Sequence, residues 1–150
     1  MSVKVVTNVF DPLDEIRRLE VSLADSRPSI GAASFFVGNM RDFNEGRTVH
    51  SMLLEHYPGM TEKRLKDIES EARAKWDLNE VLIVHRVGEI HPGESIVLVA
   101  VWSVHRAQAF ESCRGIMEKL KSTAPFWKKE TSSDGDRWVR NNTSGYIDDA

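Results

Sequence analysis

The sequence predicts an α+β fold, mainly antiparallel sheet with about three helices. Segments with strand character outnumber those with helical period, and several consecutive strands are joined by short turns. No glycine-rich phosphate loop is present, so the common doubly wound nucleotide folds are disfavoured.

Each element has a local reason. Val3 to Val9 is rich in β-branched residues and reads as a strand. Asp11-Pro12 opens a helix to about Ala24, with Asp14 and Glu15 in its first turn and Leu13, Ile16, Leu19 and Leu23 on one face. Arg27-Pro28-Ser29 is a connector. Ile30 to Val37 is an apolar strand, Gly38 to Gly46 a charged loop, and Thr48 to Tyr57 a further strand. Pro58-Gly59 breaks that strand. Thr61 then caps a helix to about Trp76, whose inner stripe is Leu65, Ile68, Ala72 and Trp76. Glu80 to Val87 and Ser95 to Val104 are strands of one hairpin about the turn His91-Pro92-Gly93-Glu94. A third helix runs from His105 to Ser122 and buries Ala109, Phe110, Cys113, Met117 and Leu120. Phe126 to Thr131 and Arg137 to Arg140 form a last hairpin around Ser133-Asp134-Gly135, and a polar tail follows from Asn141.

Composition narrows the function classes. A chain of 150 residues reads as one domain, 1–150, with 41% hydrophobic and 29% charged residues, as soluble proteins have. The net charge of −3 gives no global attraction to nucleic acid or anionic membrane, so any anion site is a local cluster of cations. The longest apolar run, Ile96 to Val101, is too short to cross a bilayer. No targeting segment is expected in Met1 to Phe10, and Asn141-Asn142-Thr143 is read as an accidental glycosylation pattern. The single cysteine, Cys113, excludes an intrachain disulfide and fits a cytoplasmic setting.

The richest segment for chemistry is Val104 to Glu130. His105 and Arg106 open its helix, Lys121 closes it, and Lys128 and Lys129 follow two aromatics on the next strand. Period-two alternation sends Lys128 and Lys129 to opposite faces, so only one of them shares a side with Phe126 and Glu130. A lysine beside aromatics and other cations has a lowered pKa. Arg106 and Lys121 are fifteen residues apart, about 22 Å along a straight helix, too far for one small ligand. Each cation also has a plainer reading, as a solvated helix end or strand face. Arg41 lies in the charged loop, where function and simple solvation compete equally. Glu55-His56-Tyr57 reads as structural. The five histidines show no ligand spacing, and no metal site is expected. Cys113 reads as core.

Five separated motifs point to one family. They are Phe36-Val37-Gly38-Asn39-Met40-Arg41; Leu54-Glu55-His56-Tyr57-Pro58-Gly59-Met60; Val84-His85-Arg86-Val87-Gly88; Ser103-Val104-His105-Arg106; and Leu120-Lys121-Ser122-Thr123-Ala124-Pro125-Phe126-Trp127-Lys128-Lys129-Glu130. In this order and spacing the chain resembles the large, catalytic subunit of molybdopterin synthase, from about Val3 to Val139. The resemblance implies an α/β-hammerhead-like fold and a sulfurtransferase. Such an enzyme turns cyclic pyranopterin monophosphate into the dithiolene molybdopterin, in molybdenum cofactor biosynthesis. It implies sulfur from the C-terminal Gly-Gly thiocarboxylate of a small ubiquitin-like subunit, and a homodimer within a heterotetramer. No cofactor is implied. By the same resemblance Lys121 and Lys128 are catalytic, and Arg41, His105, Arg106, Lys121 and Lys128 bind substrate; Asn39, Met40, Lys129 and Glu130, their neighbours in the motifs, are expected to line the same substrate site, with no family role attached to them. The rival from another class is a non-catalytic scaffold for a ubiquitin-like partner. An RNA-binding module is disfavoured by the net charge and the lack of a broad basic, aromatic-studded strand face.

Overall fold

The computed structural model describes residues 3–139. The order is β1 (Val3–Val6), α1 (Pro12–Ser22), a 3₁₀ turn (Arg27–Ser29), β2 (Ala32–Asn39), β3 (Phe43–Asn44), β4 (Arg47–His56) and α2 (Met60–Lys75). Then come β5 (Glu80–Arg86), β6 (Gly88–Ile90), β7 (Ser95–Ser103), α3 (Arg106–Thr123), β8 (Phe126–Ser132) and β9 (Gly135–Val139). The polar tail from Asn141, Arg140 at the end of the expected last strand, and Asn141-Asn142-Thr143 lie outside the described residues.

The strands form two sheets. The first has the order β1-β5-β7-β2, with every pair antiparallel except β1 with β5. Alternation along β5 and β7 sorts its two faces. Val81, Ile83, Val97, Val99 and Val101 meet Leu65, Ile68 and Ala72 of α2 and Ala109, Cys113, Ile116 and Leu120 of α3. Leu82, Val84, Leu98, Ala100 and Trp102 meet Ile16 and Leu19 of α1 and Leu23 just past its end. The central strands are thus covered on both sides, which explains their unbroken apolar sequence. Each fully buried Val or Leu there contributes about 1.5–3 kcal/mol. Gly31, just before β2, donates its N–H to Ser103 O (3.0 Å). A Cβ at this position would stand 2.1 Å from the Val104 carbonyl oxygen, so the close approach of the two backbones requires glycine.

The second sheet runs β3-β4-β8-β9, with β6 also paired to β4, all antiparallel. Met40, Val49, Met52, Leu54, Val87 and Ile90 are its core, with Phe126 packed against them. The expected hairpin of β5 and β7 is present, but its connection carries β6, which leaves the first sheet to pair with Leu53 and its neighbours.

Four details differ from the sequence reading. β1 stops at Val6. Leu13 is exposed, because it lies in the first turn, where Asp11 Oδ1 accepts its backbone N–H (2.9 Å). Phe110 is 68% exposed: the buried stripe of α3 is Ala109, Ser112, Cys113, Ile116, Met117 and Leu120, and Phe110 falls at its margin. The α2 cap is Gly59, whose N–H donates to Glu62 Oε2 (2.5 Å); Thr61 is inside the helix, its hydroxyl accepting from Tyr57 N (3.2 Å).

Candidate active site

Lys121 sits in the last turn of α3, and the Ala124-Pro125 bend turns the chain straight into β8. Strand alternation then points Phe126, Lys128 and Glu130 to one side and Trp127 and Lys129 to the other. The two inward lysines meet at a cavity of about 360 Å³, lined also by Gly38, Asn39, His85, Met117, Glu118 and Phe126. A smaller cavity of about 110 Å³ shares both lysines and adds Met40, Arg41, Asn44 and Glu130.

The electrostatics separate the two amines. Burial lowers the Lys121 pKa from 10.5 to about 8, helped by the charge of Lys128, a hydrogen bond with it, and Arg41. Burial also lowers Lys128, but its hydrogen bond to Lys121 and the charge of Glu130 act the other way. Lys121 is therefore the amine that gives up its proton more readily of the two.

Arg41 is exposed, and its guanidinium lies over the Phe43 ring, 4.9 Å from the centroid. Its loop is splinted from behind. Met40 is a core residue whose N–H donates to Glu94 O (2.9 Å) and whose carbonyl accepts from Gly93 N (2.9 Å). Ser95 donates to Asn39 Oδ1 (2.9 Å). Glu94 in turn pairs with the buried Arg86, which also donates to Glu89 O (2.7 Å). Glu130 is buried, accepting from Asn44 Nδ2 (2.7 Å) with Arg137 at 3.6 Å.

Not every expected site residue converges. Lys129 faces away, 3.5 Å from Asp136 and 5.9 Å from the Trp138 ring centroid. His105 and Arg106 are exposed at the start of α3, which is one unbroken helix of 18 residues. They stand about 22 Å from Lys121 within this chain.

A profile of the family described as MoaE protein matches residues 9–123. The chain belongs to the MoaE family. A Pseudomonas aeruginosa relative named molybdopterin synthase catalytic subunit is 47% identical over 144 residues, covering 96% of this chain and 93% of its own. A relative of the same name from Ralstonia nicotianae is 54% identical over 118 residues, 79% of this chain and 67% of its own. Molybdopterin synthase from Staphylococcus aureus has a TM-score of 0.81 at 30% identity, covering 93% of this chain and 97% of that one.

In this MoaE chain the sequence reading overlooked His85. Its ring stacks on Phe126 (centroids 3.9 Å, planes 17° apart) and lines the lysine cavity. Burial, followed by the charges of Lys121 and Lys128, lowers its pKa to about 4, against one opposing backbone hydrogen bond, so the ring is neutral. The signal was available: a histidine inside an otherwise apolar strand, in a Val-His-Arg triplet repeated at Val104. Cys113 is buried with Sγ 3.8 Å from Val99 O, and burial raises its pKa, so it stays a thiol. Among the described residues no His, Cys, Asp and Glu cluster could hold a metal, and no helix is long and apolar enough to cross a membrane.

Proposed function

We propose that this MoaE chain is the catalytic subunit of a molybdopterin synthase, a sulfurtransferase acting on cyclic pyranopterin monophosphate in molybdenum cofactor biosynthesis. The observation that carries the reading is the buried lysine pair beside Arg41, both amines held below the ordinary lysine range and Lys121 at about 8. An anionic thiocarboxylate on a thin C-terminal tail is a ligand such a pocket suits. Lys128 holds the thiocarboxylate or the oxyanion that develops as sulfur leaves the acyl carbon. The free amine of Lys121 relays a proton or takes the acyl carbon. Arg41 and Arg106, with planar forks matched to phosphate, bind the substrate phosphate together with His105. The work takes place in the cytoplasm, where a chain with one buried thiol needs no disulfide.

The sulfur donor is a small ubiquitin-like subunit, and the assembly is a homodimer within a heterotetramer. The edge strand β2, with Phe35, Phe36 and Val37 exposed, supports a chain that works against partners. Two copies would let one chain's His105-Arg106 serve the other's Lys121-Lys128 pocket. The test of the reaction is incubation with thiocarboxylated small subunit and the pterin precursor, with mass detection of the dithiolene. Its absence with competent partners removes the reading.

Two predictions arise here. Arg41→Ala and Arg106→Ala each lose roughly 1.5–3 kcal/mol of substrate binding, about ten- to a hundred-fold in Kd by calorimetry. Unchanged affinity in both removes the phosphate role. At substrate well below KM, where weakened binding leaves Arg106→Ala nearly inactive, a random mixture of Arg106→Ala and Lys121→Ala chains, with exchange verified, returns about a quarter of wild-type activity if each pocket draws on two chains. If none returns, both residues serve one chain's pocket.

A further inference from the structure

His85 is buried to 7% exposure, yet it borders the cavity beside both lysines. Its Nδ1 lies 2.9 Å from the Arg86 carbonyl oxygen. A carbonyl can only accept, so Nδ1 carries the hydrogen and Nε2 is left with a bare lone pair. Stacking on Phe126 fixes the ring plane. Resting on the synthase reading above, we propose that His85 Nε2 is a substrate-orienting acceptor, taking a ring N–H or amino hydrogen of the pyranopterin while the cations take its anionic groups.

The division of labour follows from charge. Lys121 from α3 and Lys128 from β8 are donors and read negative groups. When Lys121 loses its proton, its lone pair accepts from Lys128, so neither amine meets the N–H edge of a reduced pterin. Glu118 on the cavity wall is a carboxylate whose charge acts on Lys121, and Asn39 Oδ1 already accepts from Ser95 (2.9 Å), so the acceptor for that edge is sought in an uncharged group with no such partner. A neutral imidazole meets both conditions. Lys121, Lys128 and His56 of β4 are the charged or titratable groups acting on it, and all three oppose its protonation. Its acceptor role is therefore constant from pH 6 to 9.

Three variants test this by calorimetry with the pterin precursor and by the split between KM and kcat. Asparagine can restore the hydrogen bond to the Arg86 carbonyl but has no atom at the Nε2 position. Glutamine reaches that position with its carbonyl oxygen. Phenylalanine keeps the stack and supplies neither. His85→Phe and His85→Asn are expected to raise Kd and KM about tenfold, with kcat changed much less, and His85→Gln to recover most of the loss. Wild-type affinity in His85→Asn would show a merely structural role and overturn the proposal, as would three variants equal to wild type. If wild-type enzyme makes no dithiolene, the synthase reading falls separately, and the precursor-binding comparison still decides for or against His85.

Discussion

Lys121→Ala is expected to lower dithiolene formation by at least about a thousandfold while leaving the fold and partner binding intact. The reactive form is the free amine, which burial and the neighbouring cations make accessible near pH 8. The wild-type rate should therefore fall about tenfold for each pH unit below about 8. Lys121→Arg, which keeps a charge at every working pH, should be as inactive as alanine; activity in the arginine variant would mean that charge alone suffices. Wild-type turnover in Lys121→Ala would remove the residue from the mechanism. Stability should also rise with pH, but over a higher range. The unfolded chain holds this proton up to about 10.5 and the folded chain only to about 8. Below pH 8 both states are protonated and the burial penalty is fully present. Between the two values the unfolded state binds more protons, so wild-type stability rises with pH by this contribution. Lys121→Ala lacks that gain, which denaturant titrations at pH 7.5 and pH 10 would reveal.

Gly31→Ala is expected to be the most damaging small change in the first sheet. The new methyl would meet the Val104 backbone oxygen at 2.1 Å, and no flexible side chain can move aside. Either the start of β2 lifts from the end of β7, or the hydrogen bond from Gly31 N to Ser103 O breaks. The combined cost is about 3 kcal/mol, a fall in Tm of roughly 10 °C, read by thermal unfolding. A variant within about 0.5 kcal/mol of wild type would mean that the backbones separate freely there.

Much of this was legible in the chain. The unbroken apolar runs of β5 and β7, the Ala124-Pro125 break and the alternation in β8 are local signals, and they led to the sheet class and to one inward lysine. The five motifs named the family. What stayed hidden depended on partners distant in sequence. Phe43-Asn44 and Gly88-Glu89-Ile90 are too short to announce themselves as strands, and only β4 makes them so. Nothing in the local pattern pairs β1 with β5. Phe110 is exposed although a hydrophobic residue at the margin of a helical stripe looks like core until the opposing sheet is present. Met40 is held as much by its backbone as by its side chain, and backbone bonds to Gly93 and Glu94 have no sequence signature. His85 was missed because its chemistry comes from Lys121 and Lys128, more than thirty residues away.

The strand β8 shows how that chemistry is addressed. Lys128 and Lys129 are identical in composition, and only parity separates the one at the cavity from the one beside Asp136 and Trp138. One residue inserted between Ala124 and Trp127 would exchange their faces, turn Trp127 inward and move Glu130 outward, with no amino acid lost. Two inserted residues would restore the faces and shift the lysine along the strand by about 6.6 Å. The stretch is thus a code read by counting, in which the length of the bend matters as much as the residues that follow it.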